Sequence, residues 1–135
     1  MSQIFDNLRR DRPDALSKLI AVAGDIMQPE LGISPSDQLI LAENVSVVFH
    51  SAATVKFDEA LKLSVAMNIL GTQRLVELCH KMKKLEALVH VSTAYCNCDR
   101  DEVAEEVYPP PADPEKIIQC VEWMDEDLVN AITPK

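Results

Sequence analysis

Between residues 45 and 91 the apolar pattern changes period twice, from continuous to helical and back. Residues 45–49, Val-Ser-Val-Val-Phe, form a β-branched and nearly continuous apolar run, the pattern of a strand buried on both faces. From 58 to 82 the period becomes helical. Leu61, Val65, Asn68, Ile69, Thr72, Leu75, Val76 and Cys79 fall near one stripe, with Lys62, Arg74, Glu77 and Lys81 outside it. Gly71 inside that helix costs about 1 kcal/mol relative to alanine, so the pattern predicts a close approach to a neighbour there. Residues 85–91 read as a second strand. Together they predict one β-α-β unit with parallel strands and a right-handed crossover.

The flanks add shorter elements. Ile4, Phe5 and Leu8 at helical spacing predict a short amphipathic helix over residues 2–12. Residues 18–23 read as a further parallel strand, stopped by Gly24-Asp25. Ser34-Pro35 has the form of a helix start, with Ser34 as N-cap and Pro35 at the first helical position, and the helix runs to Asn44. Beyond Cys98 the character changes. Eleven of the twenty-two acidic residues lie between Asp99 and Asp127, and Pro109-Pro110-Pro111 breaks regular structure. Residues 99–114 therefore read as a solvated acidic loop. Pro114 opens a last helix through Ile117, Ile118, Val121 and Trp123. No internal repeat is present.

Composition narrows this picture. A chain of 135 residues with 47% hydrophobic content folds as one domain. Its formal net charge of −9 argues against nucleic acid or an anionic membrane as partner. No apolar run is long enough to span a bilayer, and the first residues do not have the pattern of a signal peptide. Of the four cysteines, Cys96 and Cys98 form a C-x-C too close for ordinary zinc geometry, and no C-x-x-C exists. Reduced thiols in an intracellular protein, with no metal site, are the expectation.

Chemistry is expected where the strands end, because ligands of open parallel sheets bind outside the carboxyl ends of strands. Three such ends occur: Gly24-Asp25-Ile26, His50-Ser51-Ala52-Ala53-Thr54 and Ser92-Thr93-Ala94-Tyr95. Asp25 could accept a hydrogen bond from an adenine amino group or could cap its own turn. Ala52 and Ala53 are small enough for a ribose to lie against the backbone, and equally suit tight packing. Ser92 and Thr93 offer hydroxyls that could polarise a carbonyl, or could cap the following turn; Ser92 is the one expected to serve the turn.

A resemblance covers essentially the whole chain. The segments Val-Phe-His-Ser-Ala-Ala-Thr-Val-Lys-Phe at 48–57, Asn-Ile-Leu-Gly-Thr at 68–72 and His-Val-Ser-Thr-Ala-Tyr at 90–95 occur in order. Glu-Val-Tyr-Pro-Pro-Pro at 106–111, Glu-Trp-Met-Asp at 122–125 and Ile-Thr-Pro-Lys at 132–135 follow them. The sequence resembles a fatty acyl-CoA reductase of the extended short-chain dehydrogenase/reductase group. The long histidine-to-phenylalanine motif and the two later ones are the specific part; Gly-Asp, Asn-x-x-Gly-Thr and Ser-Thr are shared more widely.

The resemblance implies an α/β fold: a partial Rossmann-like, doubly wound parallel sheet within one NAD(P)-binding domain over 1–135, lacking the first strand and Gly-rich loop. It implies NADPH-dependent reduction of a long-chain fatty acyl-CoA, through the aldehyde, to a fatty alcohol. Asp25 and Ile26 would lie near the adenine, and Ala52, Ala53 and Thr54 along the ribose and pyrophosphate path. Thr93 would be the catalytic hydroxyl, with Ser92 as the alternative, and Asn68 a helix asparagine supporting the site. It places the whole protein at the cytosolic face of a peroxisomal or endoplasmic reticulum membrane. The family's Tyr-x-x-x-Lys pair does not occur: Tyr95 is followed at that spacing by Asp99, and Tyr108 by Ala112. The expectation is a segment of a longer reductase, inactive alone; a truncated binding module and another extended dehydrogenase or epimerase are the alternatives. As a non-catalytic interaction protein, it would use the acidic loop to meet a basic partner.

Overall fold

The computed structural model describes residues 3–56 and 58–133. The first residue of the expected N-terminal helix, the phenylalanine that closes the motif at 48–57 and the last two residues of the motif at 132–135 lie outside the described residues. The element order is α1 (Asp6–Asp11), α2 (Pro35–Asn44), β1 (Val47–His50), α3 (Leu61–Ser64), α4 (Gly71–His80), β2 (Ala87–His90), α5 (Pro114–Trp123) and α6 (Glu126–Ile132), with single 3-10 turns before and after α1. Between α3 and α4 the helix widens into a π-helical stretch, Val65–Leu70.

The central unit is as the apolar periods predict. β1 and β2 pair in parallel, Val47 opposite Ala87 through His50 opposite His90. The connection runs through the α3–α4 helix, so this is an α/β unit. One expected strand is absent. Residues 18–23 do not form it: Lys18 ends a 3-10 helix at Pro13–Lys18, and residues 19–23 are exposed and without regular structure. A strand exists only as a member of a ladder, and this segment pairs with neither described strand; the described sheet has two strands. The sheet also departs from burial on both faces. β2 is exposed along its length, and Phe49 of β1 is 73% exposed.

Local signals account for the helix ends. Ser34 Oγ accepts the Asp37 N–H at 3.1 Å, and Pro35 occupies the first turn, where its missing N–H costs nothing. Asp113 and Asp125 cap α5 and α6 in the same way. The acidic loop is irregular, as expected, but is organised locally. The Arg100 guanidinium sits 4.1 Å above the Tyr108 ring, and the Tyr108 hydroxyl accepts the Ala104 N–H. Trp123, which closes α5, is 81% exposed.

Two contacts hold the helices in place. Val65, Ile118 and Val121 form a buried cluster, joined by Leu61, Ile69, Leu70 and Ile117, that fastens α5 to the α3 end of the long helix. Each such side chain removed from water stabilises by about 1.5–3 kcal/mol. At the other end, α4 packs on the turn Pro29–Gly32. Glu30, Leu31 and Gly32 there have φ of 51°, 60° and 58°. The left-handed region costs a non-glycine residue about 1–2 kcal/mol. Burial of Leu31 and the 2.7 Å bond from Asp25 N–H to its carbonyl offset that cost.

Gly71 meets the expectation of a close approach. A Cβ there would lie 2.5 Å from Ile26 Cγ1 and 3.3 Å from Ile26 O. The long helix thus presses directly on the turn after Asp25. Arg74 is not a solvent residue, contrary to the stripe reading: its Nη1 donates to the carbonyls of Ile26 and Met27 at 3.1 and 3.0 Å. The four cysteines are free; Cys79 is buried, which pushes its thiol pKa up. No helix among the described residues is long and apolar enough to cross a membrane.

Candidate functional site

The three segment ends singled out in the sequence meet at one edge of the sheet. Two cavities open there. The first, of about 660 Å³, is lined by the loop from Ser51 to Lys56, by Ser64, Asn68 and Thr72 of the long helix, and by His90 through Thr93. The second, of about 510 Å³, lies between the Gly24-Asp25-Ile26 turn and the end of β1. Ser51 and Ala52 line both, so the two form one track across the strand ends. All eight candidate residues line this track: Asp25, Ile26 and Ala52 in the second cavity; Ala52, Ala53, Thr54, Asn68, Ser92 and Thr93 in the first.

Each is held by identifiable bonds. Asp25 Oδ1 accepts the Met27 N–H at 2.9 Å, so this carboxylate caps its own turn, which Arg74 and Gly71 press from the far side. Asn68 sits in the π-helical stretch, where Gly71 N–H reaches back five residues to Ala66 O. Its Oδ1 accepts the Thr54 N–H at 3.1 Å, pinning the 51–56 loop to the helix. Thr54 Oγ1 in turn accepts the Lys56 N–H.

One expected duty of the two hydroxyls falls on the other residue. Thr93, not Ser92, serves the turn: its Oγ1 accepts the Tyr95 N–H at 3.3 Å, and its carbonyl accepts the Cys96 N–H. Ser92 Oγ lies 3.2 Å from Cys96 Sγ. The reason is geometric, since a turn of this kind closes on the side chain two residues before the amide it binds. A hydroxyl that accepts an N–H keeps its own proton to donate, so Thr93 can hold the turn and still polarise a carbonyl.

Sequence reasoning missed His50, Thr72 and Lys56. His50 is 4% exposed, and its Nε2 lies 3.0 Å from Thr72 Oγ1. Burial first, and then the neighbouring His90 ring at 5.1 Å, lower its pKa from the usual histidine value and favour the neutral ring. The available signal was a lone histidine closing an apolar strand, with a threonine on the facing helical stripe. Among the described residues, Lys56 is the one lysine or arginine lining the larger cavity and no acidic residue lines it, although the chain carries a net charge of −9. Exclusion of carboxylates from one cavity of an acidic protein suits an anionic ligand. The smaller cavity adds apolar walls from Leu31, Ile33 and Leu41. Small residues at 52–53, apolar walls at one end and hydroxyls with a cation at the other fit a nicotinamide dinucleotide.

Comparison with known proteins points to the same class of ligand. Residues 1–134 match the model of an NAD-binding family described as male sterility protein. Fatty acyl-CoA reductase 1 of Xenopus laevis is 50% identical over 133 residues, which is 98% of this chain and 26% of that protein. Fatty acyl-CoA reductase 1 of Homo sapiens is 46% identical over 133 residues, with the same shares covered. Fatty acyl-CoA reductase 2 of Bos taurus is 39% identical over 134 residues, 99% of this chain and 26% of that protein. The chain spans about a quarter of the length of the curated relatives it matches.

Proposed function

Because the chain belongs to the NAD-binding family of male sterility proteins, we propose that it forms the cofactor-binding part of a fatty acyl-CoA reductase. The fold is then part of a Rossmann-like, doubly wound parallel sheet over 1–135, the cofactor is NADPH, and the reaction converts a long-chain acyl-CoA to a fatty alcohol. On the same reading the protein works at the cytosolic face of a peroxisomal or endoplasmic reticulum membrane. The observation that carries the reading is the meeting of the two cavities at Ser51 and Ala52, which sets an apolar, turn-bounded end and a hydroxyl-lined end on one path.

The roles follow from the surroundings. The Asp25–Ile26 turn, braced by Arg74, bounds the adenine end against the apolar wall. Ala52 and Ala53 leave the backbone bare for a ribose and pyrophosphate to approach, and Thr54 is fixed beside them through Asn68. NADPH, when bound, supplies hydride to the thioester carbonyl carbon and then to the aldehyde. Thr93 donates its hydroxyl proton as a hydrogen bond to the carbonyl oxygen as negative charge develops there, its direction set by the Tyr95 N–H it accepts. Ser92, its thiol-facing neighbour, is the alternative donor.

The test is product analysis with the full-length gene product, NADPH and a long-chain acyl-CoA. The expected result is fatty alcohol and free CoA, with two NADPH oxidised per alcohol. Cofactor binding without acyl-CoA reduction would overturn the reading in favour of another dehydrogenase or epimerase chemistry.

A further inference from the structure

We propose that His50 is a positioning residue for this site: through Thr72 it fixes the helical turn that carries Asn68, and through Asn68 it fixes the loop at 51–56. The proposal rests on reading the track as a reductase site, but its geometry stands independently of that.

The argument is a proton count. Thr72 Oγ1 donates to the Asn68 carbonyl at 2.8 Å, which uses the hydroxyl's one proton. The contact of 3.0 Å between Thr72 Oγ1 and His50 Nε2 can then be a hydrogen bond only if the imidazole donates. The neutral ring of His50 must therefore carry its proton on Nε2. Burial of the ring and the His90 neighbour both disfavour a charged imidazole, in keeping with a neutral donor.

The links close on themselves. His50 ends β1; its ring holds Thr72; Thr72 ties down the carbonyl of Asn68; and Asn68 Oδ1 receives the Thr54 N–H at 3.1 Å. Residues 50 and 54 are thus joined by the chain on one side and by the helix on the other. The anchored carbonyl lies in the π-helical stretch, where the widened turn departs from the α-helical ladder and a side-chain hydroxyl supplies a further tie. Without His50, Thr72 loses the donor that fixes its hydroxyl. Asn68 then loses the register that sets the loop beside Ala52 and Ala53.

The test uses the full-length gene product and three measurements. Nitrogen chemical shifts of a labelled His50 ring should show the Nε2-protonated tautomer; the Nδ1-protonated form would overturn the proposal. Amide exchange at Thr54 should rise about 5-fold in Thr72→Val, the worth of one ordinary hydrogen bond, and return to wild type in Thr72→Ser. Unchanged exchange in Thr72→Val, or equal damage in Thr72→Ser, would overturn it. In acyl-CoA reduction, His50→Leu and Thr72→Val should each lower kcat/KM about 10-fold, and the double variant should be no worse than the worse single one. Independent, multiplicative losses would sink the relay. A wild-type protein that reduces no acyl-CoA would refute the reductase reading alone, and the ring tautomer and Thr54 exchange would still decide the role of His50.

Discussion

Thr93 shows how much one side chain can be asked to do. Its Oγ1 accepts the Tyr95 N–H, so truncation removes both the brace of the turn and the donor proposed for the carbonyl oxygen. Loss of a preorganised donor of this kind lowers turnover about 10²-fold. In the full-length protein, Thr93→Ala should show that loss in kcat, and Thr93→Ser, which keeps the hydroxyl, should recover most of it. Ser92→Ala should be milder, because the Ser92 hydroxyl faces the Cys96 thiol and no described backbone amide depends on it. Steady-state rates with acyl-CoA as varied substrate would decide, and a crippled Ser92→Ala beside a near-normal Thr93→Ala would reverse the assignment. The same residue also marks a boundary of sequence reasoning. Both hydroxyls sit where strand-end chemistry predicts them, but which one closes the turn depends on backbone direction that Ser-Thr does not encode.

At the scale of elements, the features that could be read in advance are those set by near neighbours in the chain. Ser34-Pro35 and Asp113-Pro114 each start a helix where caps and proline geometry place it, and the 45–91 unit follows from apolar period alone. The strand expected at 18–23 fails because pairing is non-local: its apolar residues say that it would suit a sheet, not that a neighbour is present. The π-helical stretch carries no compositional mark, and the groups that meet its Asn68 and the nearby Thr72, the Thr54 N–H and the His50 ring, come from elsewhere in the chain. Arg74 was misread for a related reason, its carbonyl partners being nearly fifty residues away. Gly71 was readable, and its consequence is testable. Gly71→Ala gains about 1 kcal/mol of helix propensity. It also drives a Cβ to 2.5 Å from Ile26 Cγ1, close to the Ile26 backbone, an overpacking that costs about 1–3 kcal/mol. Overpacking should win, because Cγ1 is near the root of a β-branched side chain and cannot swing clear. A lower melting temperature is the expected result, and a higher one would show that the turn can move.

For the molecule as a whole, the apolar surface is unevenly covered. The long helix is locked between α5 at one end and the Leu31 turn at the other, while Val47, Phe49, Leu88 and Val89 of the sheet remain substantially exposed. A two-stranded sheet contributes little stability by itself, so the helical contacts dominate the cohesion of the described residues. Their order therefore rests on Val65, Ile118, Val121 and Val129 more than on the ladder. The exposed end of α5 has a consequence for how such a fold is watched. Trp123 is the chain's single tryptophan and is 81% exposed, so its indole meets water before unfolding as well as after. In a urea titration, tryptophan emission of this chain should stay at its long-wavelength position while far-ultraviolet circular dichroism loses the helical signal. A large red shift on unfolding would mean that the indole is covered in solution. A blue shift on adding a ligand or another polypeptide would instead report the moment at which something comes to lie across the end of that helix.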